Sequence, residues 1–515
     1  YLTGYGYLDN TWAYTPVVYD KGDDEAIGGG DDVGLRPLRQ EEYTDLTSSN
    51  SMQHALSFNN NTLTQATVCD TLTLAGQGTL TLNSTLNVTE GVVVVNDSSN
   101  LIGSSFLTLG GTEGIIHVPS DMATIDAPMV AHNLTKAGDG ALRLTNPNNQ
   151  ITGDTVVNGT RLELGSPTAG GSAPLKMYDA NLFLDFASGT FANTTTWESG
   201  AGGPTGGFSW INELRLRDGA TVTYTGRIEG DGATSLQGAG SKLVMTNTAT
   251  NTNPRTPFFL LGTDTTLELN GTFGTPGGAG YLWMNSGSRL MGVGTAIANV
   301  VVQTGATVAP GSTASPVGIL TVERLELQSG GTLELQNAAT GVRGVAYDAV
   351  NVTDNGAQLF GKIHLRSSGA VHPVGTLFDV IHFDSSYVGV PTITTDTPLT
   401  GGRQYVPIFY PDKIVIGVAG FTGDANLDGK VNTIDFNLLA GDFGITQGAN
   451  WTMGDFNLDR MIDSMDFNLY ARNYGKKIAG LGPTLGSVVP EPSSLLLGVA
   501  TSLAMCMRRR GRTNC

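Results

Sequence analysis

Two stretches near the end of the chain repeat one acidic phrase: GDANLDGKVNTIDFNLLAGDFG from Gly423 and GDFNLDRMIDSMDFNLYARNYG from Gly454. In each, oxygen-bearing side chains recur at every second position: Asp424, Asn426 and Asp428 in the first, Asp455, Asn457 and Asp459 in the second. Further oxygens follow at Asn432 and Asp435, and at Asp463 and Asp466. Alternate positions in a tight loop direct such groups inward. A calcium ion needs six or more hard oxygens around one point, so the spacing points to two calcium ions, one per phrase.

The order of donors is that of an EF-hand-like loop, with side-chain oxygens at the first, third, fifth and ninth positions, a main-chain carbonyl at the seventh and an acid at the twelfth. The carbonyl position falls on Lys430 in the first copy and on Met461 in the second. Gly429 occupies the sharp bend of the first loop, where a positive φ is expected; the second loop has Arg460 there, which predicts backbone strain. The closing acid is Asp rather than Glu, and each loop runs into one short helical stretch, TIDFNLLAGDFG or SMDFNLYARNYG. In these features Phe421 to Gly475 resembles the dockerin type I domain. The resemblance implies a small all-α module holding two calcium ions and docking to a cohesin-like protein. Within the family, the tenth and eleventh loop positions contact that partner; here they are Thr433 and Ile434, then Ser464 and Met465. Met465 departs from the small or polar residue usual there.

What precedes these loops is of another kind. From about Thr62 to Val418 the chain repeats short runs of alternating apolar and Thr/Asn residues broken by Gly, Asn or Asp, as in TLTLAGQGTLTLNSTLNV (Thr71 to Val88) and RLELQSGGTLELQ (Arg324 to Gln336). Period-two alternation puts Leu72, Leu74, Leu80 and Leu82 on one face and Thr on the other. Runs of this kind suit stacked coils, each burying its Leu/Val face against the next. The expected fold is mainly β, a parallel β-helix, with a series of β-sandwiches as the alternative.

One stretch is more specific. LTKAGDGALRLTNPNNQITGDTVVNGTRLELG (Leu134 to Gly165) resembles the autotransporter-associated β-strand repeat. Gly138, Gly140, Leu142 and Leu144 fill its first half, and Thr155, Val157, Gly159, Leu162, Leu164 and Gly165 its second. GVGTAIANVVVQTGATVAPGSTASPVGILTVERLEL (Gly292 to Leu327) is similar in pattern to a segment of bacterial surface proteins. The resemblance implies a right-handed β-helix exported to the cell surface, and it brings no reaction with it.

Other chemistry is thinly represented. The six His are scattered without metal-binding spacing, and Asp379, His382 and Asp384 form a trio in which strand alternation already explains His382 and Asp384 as edge groups. No catalytic residue is assigned. A net charge of -18 argues against nucleic acid as a partner. The acid excess is densest in residues 1–50, with ten Asp/Glu against three Lys/Arg, and these read as a solvated acidic arm. The three cysteines, Cys69, Cys506 and Cys515, build neither a disulfide framework nor a thiolate metal site. The opening YLTGYGYLDN shows no secretion signal, and the natural N-terminus is expected to lie further upstream.

The tail reads VVPEPSSLLLGVATSLAMCMRRRGRTNC. Its apolar run Leu495 to Met507 is short for a bilayer span of about 20 residues. Pro490, Glu491 and Pro492, then the apolar run, then Arg508, Arg509 and Arg510 resemble the PEP-CTERM sorting signal. That resemblance implies cleavage near the triplet by an exosortase-type enzyme and transient membrane anchoring.

The expected organisation is an acidic arm over 1–60, a β-helix over 61–419, the dockerin-like module over 420–476, a linker over 477–489 and the sorting segment over 490–515. The expected function is non-catalytic: an exported surface or extracellular-matrix protein that docks through calcium, with extracellular polysaccharide a further candidate ligand. The alternative is an enzyme or accessory subunit of a polysaccharide-degrading assembly.

Overall fold

The computed structural model describes residues 3–8, 11–20, 34–46, 51–198, 212–230, 232–247, 258–276, 280–354, 356–366 and 372–479. Pro490 to Pro492 and Arg508 to Arg510 lie outside them. The chain divides into two compact units, one comprising Tyr1–Ala370, Phe378–Thr397 and Phe409–Ile416, the other Val371–Leu377, Pro398–Ile408 and Gly417–Cys515.

The first unit is mainly a parallel β-solenoid. Successive coils place strands in register one above the next, as Leu134–Ala137, Thr155–Asn158, Leu175–Tyr178 and Thr195–Glu198 do. This parallel pairing rules out the β-sandwich alternative, whose strands would be antiparallel. Stacking follows from the alternation in the sequence. Leu142 pairs with Leu162, Leu162 with Leu182, Leu182 with Leu214 and Leu214 with Leu236, and each of the five is at most 1% exposed. The column continues through Leu261, Met284, Val302, Leu327 and Leu359. Each such side chain contributes roughly 1.5–3 kcal/mol of burial, and the coils above and below supply part of the apolar surface that buries it.

The repeat-like stretch from Leu134 shows why it carries a Lys and several Gly. The Lys136 side chain points inward, fully buried, and its Nζ donates to the carbonyl of Gly138, to that of Gly159 at 3.2 Å and to Thr160 Oγ1 at 2.8 Å. Three donors meet three acceptors on two successive coil corners. Burial still pushes the Lys136 ammonium down to about 8. Gly138 takes φ +84°, and a Cβ there would meet the Val118 carbonyl oxygen at 2.3 Å.

Alternation fails in several of the described strands, Thr67–Ala75 and Leu86–Val95 among them. Thr71 and Thr73 are as buried as Leu72 and Leu74, because their strand, Thr67–Ala75, is covered on its outer side too. The strand Thr11–Asp20 lies against Thr67–Ala75 and Leu86–Val95, and Tyr43 Oη sits 3.4 Å from Thr73 Oγ1. Thr3–Leu8, Thr11–Asp20 and Gly34–Pro37 form an antiparallel sheet, and the parallel ladder begins with Thr44–Asp45 on Ser51–Phe58.

The second unit carries two helices, α1 (Thr433–Gly441) and α2 (Ser464–Asn473), each behind one acidic phrase. Among the described residues no helix is long and apolar enough to cross a membrane.

Candidate metal centre

Each phrase folds as a loop that caps the helix following it. Asn432 accepts from the Ile434 N–H at 2.8 Å and Asp463 from the Met465 N–H at 2.6 Å. Three residues on, Asp435 and Asp466 reach back to the N–H of Asn432 and Asp463 at 2.9 and 3.0 Å, completing a capping box in both copies.

The two loops share one hydrogen-bond scheme. Asp424 Oδ1 accepts from Asp428 N–H at 3.0 Å and Asp455 Oδ1 from Asp459 N–H at 3.2 Å. The other oxygen of each accepts from the bend residue, Gly429 or Arg460, at 3.0 Å. Asp435 Oδ1 takes the N–H groups of Ala425 and Asn426 at 2.9 and 3.2 Å, while Asp466 Oδ1 takes those of Phe456 and Asn457 at 2.8 and 3.2 Å. Asn426 and Asn457 accept from the residue two ahead at 3.1 and 3.0 Å, and Asp428 and Asp459 do the same for Lys430 and Met461 at 2.9 Å.

Asp424, Asp435, Asp455 and Asp466 are all 0% exposed. Burial pushes Asp424 up to about 6, with the negative charges of Asp435 and Asp428 adding to it. Burial likewise holds Asp455 at about 6, reinforced by Asp466 and Asp459, and raises Asp435. Among the described residues no three His, Cys, Asp or Glu side chains gather as a metal cluster. The donor set nevertheless fits a hard divalent cation, since it is all oxygen, includes Asn and main-chain carbonyls, and concentrates buried negative charge that a cation would relieve.

The backbone bears out the strain expected at the bend. Gly429 has φ +82° and Arg460 φ +72°. A second left-handed position in each loop, Leu427 at +57° and Leu458 at +63°, carried no sequence signal. Three further features escaped the sequence reading. Gly423 and Gly454, one before each first Asp, take φ +105° and +111°; a Cβ would meet Tyr470 Cα of α2 at 3.2 Å in one and Leu439 Cα of α1 at 2.8 Å in the other. Trp451, 3% exposed, donates its indole N–H to the Asp424 carbonyl at 2.8 Å. Tyr470 donates its hydroxyl to the Asn432 carbonyl at 3.0 Å. A Gly ahead of Asp in both phrases was the one legible sign of the first.

Thr433, Ile434, Ser464 and Met465 are all exposed on the first turns of the helices, Ile434 at 56% and Met465 at 60%. Thr433 alone of the four lines an open groove of about 420 Å³, together with Phe436, Phe467, Tyr470, Ala471 and Tyr474. Phe436, Phe467 and Tyr474 remain partly exposed along it.

In the solenoid unit, His382 Nε2 lies 2.7 Å from Asp379 Oδ2, and Lys413 Nζ lies 3.8 Å from the same oxygen. Lys413 was not part of the expected trio. Asp384 lies on the chain just after the strand, exposed, its N–H bonded to the Val352 carbonyl at 3.0 Å.

No protein-family model matches the chain. The chain is similar to the adhesin BmaC autotransporter of Brucella suis biovar 1 (strain 1330), 30% identical over 177 residues, which make up 32% of this chain and 5% of that protein. The chain thus spans a small fraction of the curated relative it matches. That likeness and the parallel solenoid together fit an autotransporter-like β-helix passenger.

Proposed function

We propose that the chain is an exported, adhesin-like surface protein whose solenoid presents a long binding face and whose C-terminal unit is a calcium-binding, dockerin-like module. The observation that carries the calcium reading is the duplicated loop, with its matching hydrogen bonds and two fully buried carboxylates per copy. Asp424, Asn426, Asp428, Asn432, Asp435 and the Lys430 carbonyl would hold one ion; Asp455, Asn457, Asp459, Asp463, Asp466 and the Met461 carbonyl would hold the other. Calcium would supply positive charge where the fold concentrates negative charge. The chain's own part is to preorganise it: the capping boxes fix the ninth and twelfth positions, and the two left-handed residues turn the loop back on itself.

The surface role draws on the partial likeness to an adhesin and on the solenoid, which orders an extended face at little further conformational cost. Docking to a cohesin-like protein through Thr433, Ile434, Ser464 and Met465 is part of the same reading, supported by their exposure and by the aromatic groove that Thr433 lines. Sorting through Pro490, Glu491 and Pro492, with Arg508 to Arg510 at the cytoplasmic face, completes it. The test is capture of a purified cohesin domain by the immobilised full chain in calcium. The reading predicts binding that chelator reverses and that Ile434→Asp with Met465→Asp abolishes; capture that survives both the chelator and the double variant would contradict the docking assignment.

A further inference from the structure

We infer that the turn Asn450–Gly454, with Trp451 at its centre, couples the two loops, so that an ion in one raises the affinity of the other. The inference rests on the calcium reading above and goes beyond it, because two EF-hand-like loops in one chain need not communicate.

The turn touches the first ligand of both loops. Its Asn450 carbonyl accepts from the Asp455 N–H at 3.2 Å. Its Trp451 indole donates to the Asp424 carbonyl at 2.8 Å. The same ring packs edge-on against Phe456, the second residue of the second loop, with centroids 5.2 Å apart and planes at 75°. The turn is itself well held: Asn450 accepts from Thr452 N–H and hydroxyl at 3.0 and 2.7 Å, and Met453 and Gly454 donate back to Asn450 and Trp451 at 3.0 and 3.1 Å. A shift of Asp424 as its loop closes on an ion is therefore transmitted, through a buried hydrogen bond and a ring contact, to the start of the second loop.

The backbone pairings run the same way, each loop bonding to the segment behind the other helix. Val431 N–H donates to the Lys476 carbonyl at 2.9 Å, Gly475 N–H to Val431 at 2.8 Å and Ile478 N–H to Gly429 at 2.9 Å. In the other direction, Gly444 N–H donates to the Ile462 carbonyl at 2.9 Å, Ile462 N–H to Ile445 at 2.9 Å and Ala449 N–H to Arg460 at 3.1 Å. Each loop thus orders the end of the opposite repeat. Trp451 is the side chain that joins their starting positions, and so the place where coupling can be cut without removing a ligand.

The test is a cycle of calcium titrations on the full chain by calorimetry. Asp459→Ala disables the second loop at an exposed ligand, and Asp428→Ala disables the first. The first loop should bind about 5-fold or more weakly when the second is disabled, and reciprocity requires the same factor in reverse. Trp451→Phe retains an aromatic ring against Phe456 and loses only the indole N–H, so both ions should still bind while the coupling factor falls about 2-fold or more, towards one. Unequal factors in the two directions, or a factor of one, would overturn the coupling. A factor that survives Trp451→Phe would overturn the role of Trp451. A native chain that takes up no calcium would overturn the calcium reading and this inference together.

Discussion

Arg460→Gly isolates a single backbone angle. Arg460 holds φ +72° where the equivalent Gly429 holds +82°, and both donate the same N–H bond to the first Asp of their loop at 3.0 Å. A left-handed backbone costs a non-glycine residue about 1–2 kcal/mol. Glycine gives back about 0.5–1 kcal/mol through the greater freedom of the unfolded chain. The net gain is on the order of 0.5–1 kcal/mol, which for a unit of this size raises the melting temperature by about 2–8 °C. The N–H bond to Asp455 is main-chain and survives the change. The assay is calorimetric melting of the full chain at saturating calcium, following the transition that calcium shifts. Arg460→Ala is the control, since it removes the cation but keeps the strain. If Ala stabilises as much as Gly, repulsion between the Arg460 cation and the bound calcium was the penalty and not the angle; if Gly stabilises nothing, the strain argument fails.

The other predictions address the solenoid and the tail. Leu162→Ala should leave a cavity between Leu142 and Leu182, costing about 2–5 kcal/mol, read as faster amide exchange in Ala141–Leu144 and Asn181–Leu184; unchanged exchange would contradict the stacked-column account. Asp348, 1% exposed, is pushed up by burial to about 7 from 3.8, although Gly318 and Gln336 donate their N–H groups to it at 2.9 and 2.8 Å. An acid whose folded value is raised binds a proton that the unfolded chain has released, so stability should fall as pH rises from about 4 to about 7, by up to roughly 4 kcal/mol, and level off above. Asp348→Asn should flatten that slope in urea midpoints, and an unaltered slope would assign it elsewhere. In cells carrying an exosortase-type enzyme, intact-mass measurement should find surface protein lacking the segment from about Leu495, and Glu491→Ala should restore it; Cys515 retained on the native surface form would refute the sorting assignment.

The solenoid was legible because a single physical requirement, burying Leu on alternate positions, is written into nearly every strand. Leu72, Leu74, Leu80 and Leu82 read as one face of the strands and are buried. Thr71 and Thr73 misled for the converse reason: their burial depends on Thr11–Asp20 and Tyr43, distant in sequence, and no local pattern announces a cover. Nothing in the sequence marks Lys136 as buried, because its acceptors include carbonyls brought to it only when two coil corners meet. In the acidic phrases the oxygen-bearing positions were visible as spacing, and the strain at Arg460 as a mismatch between copies. Trp451 and Tyr470 were not legible, since what they bond to is main-chain oxygen of the other repeat, which carries no residue identity.

The most direct test of the account is native mass spectrometry of the full-length chain from calcium-containing buffer. The account predicts two calcium ions per chain, one remaining in Asp424→Ala, one in Asp455→Ala and none in the double variant. A folded native chain that carries no calcium, or single variants that each keep both ions, would contradict it.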